Sequence, residues 1–464
     1  MKNSLTRIEK KEILEILLST GGDFAEVFME DTTSEALEMY SGKISTSSVS
    51  KVSGAAVRII KDNVEVNTSV SDYSYERLVA VAKELSKSFD GVKTTEVEEF
   101  KDIKVPEYVK VVRPCKGDNA EELAIMQEIT KAALSYSEKI VQVQCTFWKK
   151  IQDMQVFASD GTDVADHRNN MRVSGVAIAK DGNNMQSNHA SYGRNKGMEM
   201  FDGFDAKAFG EKIARDAVLM LDAIDMPGGD IPVVIDNGFG GVILHEACVH
   251  GLEATSVARG LSVFCNKLGE KIASDIVNAV DEGVGDGEWG SINVDDEGTV
   301  SRYRKLIENG VLKSYLVDKR NSKIMNHPVT GSSRRQNYKF QTTSRMTNTY
   351  FLPGKDKFED IISSVKYGLY AKEMGGGSVN PSTGEFNFAV NVGYLIENGK
   401  ITKPVKGATL VGSGKDVLLR IEMISDNLAQ AQGMCGSMSG SVPTNVGQPT
   451  IKLSHMVVGG KGGN

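Results

Sequence analysis

The sequence predicts an α+β protein in two parts. An N-terminal α/β domain spans residues 1–225, and a C-terminal, mainly antiparallel β domain spans 226–464 and carries one short histidine-bearing helix. Three observations lead there. At 464 residues the chain is too long for one ordinary domain. Before about residue 223, long helical and strand-like periodicities alternate. Beyond Met226-Pro227-Gly228-Gly229-Asp230 the character changes to short strand-like runs broken by glycine, among them Gly287, Gly290, Gly298, Gly310, Gly384 and Gly393. Apolar residues make up 40% and charged residues 25%, as in a globular protein with a large core.

The elements follow in order. Residues 9–20 have helical spacing, with Ile13, Leu14, Ile16, Leu17 and Leu18 on one side. Segments 25–30 and 52–59 carry β-branched, alternating patterns and predict strands. Asp72 caps a helix running through Leu78, Val79, Val81, Ala82 and Leu85. Residues 91–116 are charged, hold Pro106 and Pro114, and suit a connecting segment. Asp118-Asn119 opens an amphipathic helix to about Lys139. Residues 139–200 read as four strands, with turn signals at Ser159-Asp160-Gly161 and Asp181-Gly182-Asn183, before another helix over about 205–223. In the second half, the strand Ile231–Asp236 leads into the histidine helix. Glu308-Asn309-Gly310 and Glu397-Asn398-Gly399 are hairpin turns with the Asn-Gly preference for positive φ. No solenoid repeat is present.

Composition narrows the function. A formal net charge of -7 and the lack of a Lys/Arg cluster argue against a nucleic-acid partner. Residues 1–11 lack the apolar core of a signal peptide, and no window approaches the ~20 apolar residues of a membrane span. The expectation is a cytoplasmic protein. The five cysteines, Cys115, Cys145, Cys248, Cys265 and Cys435, form an odd, scattered set and do not make a disulfide framework.

Two of only six histidines sit in Gly238-Phe239-Gly240-Gly241-Val242-Ile243-Leu244-His245-Glu246-Ala247-Cys248-Val249-His250-Gly251. Two imidazoles and a carboxylate are what a hydrolytic metal site needs. The usual zinc-protease helix reads His-Glu-x-x-His, whereas this one reads His-Glu-x-x-x-His. Residues i and i+5 of a regular helix lie about 140° apart, so they point away from a shared centre. Either a π-bulge absorbs the extra residue, or the helix frays at Gly251 and His250 swings in. Glu246 follows its histidine directly, where zinc hydrolases place the base for their water. A third ligand is required, and Glu253, Cys248, Cys265, His327, His455 and Cys435 are the candidates. Cys435 stands out because Gly433 and Gly436 allow a sharp backbone and close approach of a thiolate; Glu253 is the runner-up.

The segment His245–Glu253 resembles the active-site motif of the TldD/PmbA family of metalloproteases. So do residues 330–338 with 344–350, residues 394–400 with 404–414, and Cys435-Gly436 followed by 441–450 and 457–460. These motifs lie in order across 236–464. The resemblance implies zinc held by His245, His250 and Cys435, with Glu246 as the catalytic glutamate. It also implies a TldD-type, metal-bearing subunit that pairs with a PmbA-type (TldE) subunit or with itself, and that cleaves unfolded polypeptides or modified peptide precursors. Arg345, Arg335 and Tyr338 fall in a family-like segment and are candidates for orienting substrate. The chain departs from the family at Cys248-Val249, Ala254-Thr255 and Gln341-Thr342-Thr343, which puts substrate preference in question more than chemistry. The reading is therefore a Zn2+-dependent peptidase. Its rivals are a non-catalytic subunit that stabilises a partner protease and a zinc hydrolase of small molecules.

Overall fold

A computed structural model describes residues 5–115, 117–380 and 382–461. The outer limits of the two expected domains and position 116 of the connecting segment lie outside the described residues.

The first half is built on one sheet of very long strands: β1 (Phe24–Tyr40), β2 (Lys43–Lys61), β3 (Val64–Val70), β4 (Ile140–Ala158), β5 (Asp163–Asp181) and β6 (Asn184–Asn195). They pair in the order β3-β2-β1-β4-β5-β6, antiparallel throughout. Residues 139–200 thus hold three strands, not four. The charged pair Lys149-Lys150 sits mid-strand without interrupting the pairing, because Lys149 Nζ meets Glu35 at 2.9 Å and Lys150 Nζ donates to the Gln336 carbonyl at 3.2 Å. Side-chain alternation makes the sheet two-faced. One face is covered by α1 (Arg7–Leu18) and α2 (Tyr75–Ser86) at one end, and by α3 (Ala120–Tyr136) and α4 (Ala206–Leu219) at the other. α1 begins with a capping box between Thr6 and Glu9. α2 is led by Ser74, whose N–H donates to Asp72. On the other face Phe28, Met154 and Val156 meet Val294 and Tyr338 of the second half.

Residues 91–115 form neither helix nor strand. They run as a strap fastened at both ends: the Glu98 N–H donates to the Ser159 carbonyl at 2.9 Å, and the Val109 N–H to Asn293 Oδ1 at 2.9 Å. Residues 224–225 already pair with Val405 and Lys406, so the chain passes here into the second sheet system.

The second half holds two large sheets and a two-stranded ribbon of Ser333–Arg334 with Thr343–Ser344. Five strands close on themselves in the order Tyr367–Val379, Gly229–Ile235, Ile451–Gly459, Thr409–Ser413 and Glu385–Glu397, the last pairing back onto the first. Only the pair between Tyr367–Val379 and Gly229–Ile235 is parallel in this barrel-like ring. The other sheet runs Val311–Leu312, Tyr303–Glu308, Ala279–Glu282, Asn348–Phe351, Gly440–Gln448, Ala429–Ser437. The Asn309-Gly310 and Asn398-Gly399 turns both have positive φ at each residue, as the sequence predicts. Both sheets contribute to one core, into which the short helix α5 (Val242–Ala247) buries Val242, Ile243, Leu244 and Ala247.

Candidate metal centre

The glycine run before α5 exists for packing. A Cβ on Gly241 would lie 2.4 Å from the backbone nitrogen of Gly447, so only glycine lets the start of the helix press against the Gly440–Gln448 strand. The far end resolves the spacing problem. The last α-type bond runs from the Cys248 N–H to the Leu244 carbonyl, at 3.1 Å. Cys248 then leaves the helical region at φ -128, ψ -59, and Val249–Leu252 form a 3-10 turn. Neither a π-bulge nor a fray at Gly251 occurs; the break falls three residues earlier. Cys248 is fully buried in the core, which draws that residue inward and releases the helix there. Gly251 is required by contact instead, since a Cβ would meet the Phe264 ring at 2.6 Å.

The break brings both imidazoles to one point. His245 Nε2 lies 3.1 Å from Cys435 Sγ, and His250 Nε2 lies 3.2 Å from it. The two rings are 4.8 Å apart and nearly perpendicular, at 84°. One ligand atom from each of the three residues fits within 4.8 Å. A tetrahedral zinc with bonds of about 2.1 Å to nitrogen and about 2.3 Å to sulfur separates those atoms by about 3.6 Å. The two nitrogen–sulfur distances are therefore a few tenths of an ångström shorter than in an ion-bearing set. Cys435 comes from Ala429–Ser437, the edge strand of its sheet, in register with Val442.

Electrostatics fit a cation. Burial works to raise the Cys435 thiol, but the two imidazoles outweigh it and hold the group down at about 3. Burial likewise works to lower His250, but Glu253 and the Cys435 sulfur push it well above the ordinary imidazole range. Both shifts favour negative charge on the sulfur beside positive charge on the ring, and a divalent cation would take the place of that positive charge. Two imidazoles and a thiolate form a borderline-soft donor set that suits zinc far better than magnesium or calcium. Beside them Glu246 carries Oε2 3.7 Å from His250 Nε2. All four side chains face a cavity of ≈ 500 Å³, walled opposite by residues 376–379 and bordered by Phe239 and Met434.

Of the other candidates, only Glu253 also lines this cavity. Cys248 packs in the core, where burial pushes its thiol up. Cys265 reaches the Val257 carbonyl, His327 the Pro328 carbonyl, and His455 the Ser454 hydroxyl. Glu253 contacts His250 Nδ1 at 3.1 Å, on the far side of the ring from the sulfur. Arg345 is fully buried behind the cluster and donates to the Cys435 carbonyl at 2.6 Å. Arg335 and Tyr338 are not part of this cavity. Arg335 pairs with Glu26 at 3.2 Å, the Tyr338 N–H donates to Glu30 at 2.5 Å, and both line a separate polar pocket with Arg58 and Glu65. The wall at 376–379 was visible in the sequence only as part of a glycine triplet; nothing there said which site it would face.

Comparison with known proteins places the chain in a family. The model of the PmbA/TldA metallopeptidase C-terminal domain matches residues 228–460, half of the chain, and so takes in the whole cluster. The chain belongs to the PmbA/TldD metallopeptidase family. It is a metallopeptidase, and the family's domain 1 and central domain match residues 25–88 and 115–221. It is 33% identical to a metalloprotease TldD homolog of Haemophilus influenzae over 97% of this chain and 95% of that one. Two solved structures share the fold at low identity. One is a Thermotoga maritima protein described as a candidate modulator of a DNA gyrase, with 20% identity, TM-score 0.78 and coverage of 98% of this chain and 100% of that one. The other is TldE from Thermococcus kodakarensis, with 18% identity, TM-score 0.74 and coverage of 98% and 100%. No helix among the described residues is long and apolar enough to cross a membrane.

Proposed function

We propose that the chain is a zinc-dependent peptidase of the TldD type, acting on unfolded polypeptides or modified peptide precursors. The observation that carries this reading is the convergence of His245 Nε2, His250 Nε2 and Cys435 Sγ beside a cavity that Glu246 also lines. His245, His250 and Cys435 would hold the ion and leave a fourth position toward the cavity. Bound there, zinc would acidify a water and polarise the scissile carbonyl. The Glu246 carboxylate would accept the water's proton and pass it to the departing amine. Its place supports this: it is one residue from His245, on the cavity side, and within 3.7 Å of His250.

The active assembly on this reading is a dimer, either with a PmbA-type partner or of two copies. Five free cysteines, one of them needed as a thiolate ligand, suit the reducing cytoplasm. Arg335 and Tyr338 we assign to the join between the two halves rather than to substrate. The test is Glu246→Gln with zinc content and peptide hydrolysis both measured. Zinc should stay stoichiometric while kcat falls about 10²–10⁴-fold. Undiminished hydrolysis would remove Glu246 from the mechanism, and a wild-type chain that binds no zinc would favour a non-catalytic subunit instead.

A further inference from the structure

We infer that Glu253 is a positioning residue: it holds His250 in the tautomer that offers Nε2 to the metal, while Arg345 ties Glu253 to the Cys435 strand. The inference rests on the zinc-peptidase reading above. Glu253 Oε1 lies 3.1 Å from His250 Nδ1, and the opposite nitrogen, Nε2, faces Cys435 Sγ at 3.2 Å. An ionised carboxylate only accepts hydrogen bonds, and a neutral imidazole carries one N–H. Pairing the two places that hydrogen on Nδ1 and leaves the Nε2 lone pair for the ion.

The carboxylate also faces a buried guanidinium. Arg345 is fully buried, and its Nε stands 3.5 Å from Glu253 Oε1. Among the described residues Glu253 is its sole carboxylate partner within 4 Å. The rest of the guanidinium donates to the Cys435 carbonyl at 2.6 Å, the Ser439 hydroxyl at 2.9 Å and the Gly440 carbonyl at 3.1 Å. One buried side chain therefore hydrogen-bonds the Cys435 segment and meets Glu253, on the His250 segment, as an ion pair without a hydrogen bond from Nε. The two histidines differ in their need for this. His245 sits in α5 and is oriented by packing; its buried Nδ1 has no hydrogen-bond partner. His250 sits in the irregular turn beyond the break, where the backbone alone fixes the ring less firmly.

The test measures Zn²⁺ affinity by chelator competition and the visible and near-ultraviolet spectrum of the Co²⁺-loaded protein. Glu253→Ala should weaken zinc binding about 10–100-fold, the usual effect of losing such a partner. It should keep the thiolate-to-cobalt charge-transfer band, which Cys435→Ser should lose. Glu253→Gln retains an acceptor oxygen and should stay within a few-fold of wild type. Histidine-ring nitrogen NMR of the zinc-loaded wild type should show His250 protonated at Nδ1. Unchanged zinc affinity in Glu253→Ala would overturn the inference while leaving the peptidase reading intact; an Nε2-protonated His250 in the zinc-loaded protein would overturn the inference and also remove His250 Nε2 from the ligand set. If Glu253→Ala fails to fold, the glutamine variant and the tautomer decide. A wild-type chain that binds neither Zn²⁺ nor Co²⁺ would bring down both readings.

Discussion

Two buried polar clusters in this molecule look alike in composition and differ in what they leave open. One joins the halves of the chain: Arg58 meets Glu26 at 2.9 Å and Glu297 at 2.5 Å, Arg335 meets Glu26, and Arg168 meets Asp296 at 2.7 Å. The other is the set of His245, His250, Glu253, Arg345 and Cys435. Both are largely buried, and both displace pKa values. In the first, carboxylates and guanidinium groups answer one another and little remains to offer a ligand. In the second, two imidazole nitrogens converge on one sulfur at 3.1 and 3.2 Å beside a cavity. A perturbed pKa in a buried charge cluster is thus no marker of function here. Donor atoms gathered at a cavity are the observation on which the proposed function rests.

Substitutions in each cluster should separate the two roles. The largest effect is expected for His250→Ala, which removes one of the three proposed ligands. Zinc content by atomic emission and peptide hydrolysis should both fall to background, with the fold retained by circular dichroism. Next is Arg58→Met in the joining cluster. Stripping the cation from buried carboxylates should cost about 3–5 kcal/mol in urea unfolding, while the protein that remains folded binds zinc as tightly as wild type. Loss of zinc affinity there would mean that the clusters are one system. Gly241→Ala sits on the boundary of the comparison. The added methyl meets the Gly447 backbone, so a cost of about 1–3 kcal/mol is expected, accompanied by weaker zinc binding because α5 is displaced.

The smallest effect concerns pH. Burial raises the Glu297 carboxyl, Arg58 opposes the rise, and Asp318, Glu26 and Asp295 add to it. A carboxyl raised in the folded state contributes stability that is fully present below its unfolded value, near 4.5, and is lost as pH climbs through its folded value. Wild type should therefore lose stability over that rise relative to Glu297→Gln, as read by unfolding midpoints at several pH values. Parallel curves for the two proteins would remove Glu297 from the account.

The same contrast decides what could be read from sequence. His245, Glu246 and His250 announce themselves because they are local, and Cys435 because glycines flank it. The way the spacing is accommodated was not legible, since it depends on Cys248 sinking into a core assembled from distant strands. Arg335 and Arg345 are indistinguishable in sequence, both lying in one family-like stretch. Only the fold sends the first to Glu26 of β1 and the second to the back of Cys435. In the first half the helices and the turn signals at 159–161 and 181–183 were legible. Strand length was not, because a 19-residue strand carries charged positions that only its neighbours neutralise.

The ligand set is also a schedule. His250 and Cys435 are separated by 185 positions of chain. A ribosome making this protein completes the histidine segment long before the strand that supplies the sulfur. On the ligand set proposed here, the growing polypeptide holds an incomplete site through all of that interval. Proteolytic competence then arrives only after both sheets of the second half are nearly built, so the chain is largely folded before it can cut anything, itself included.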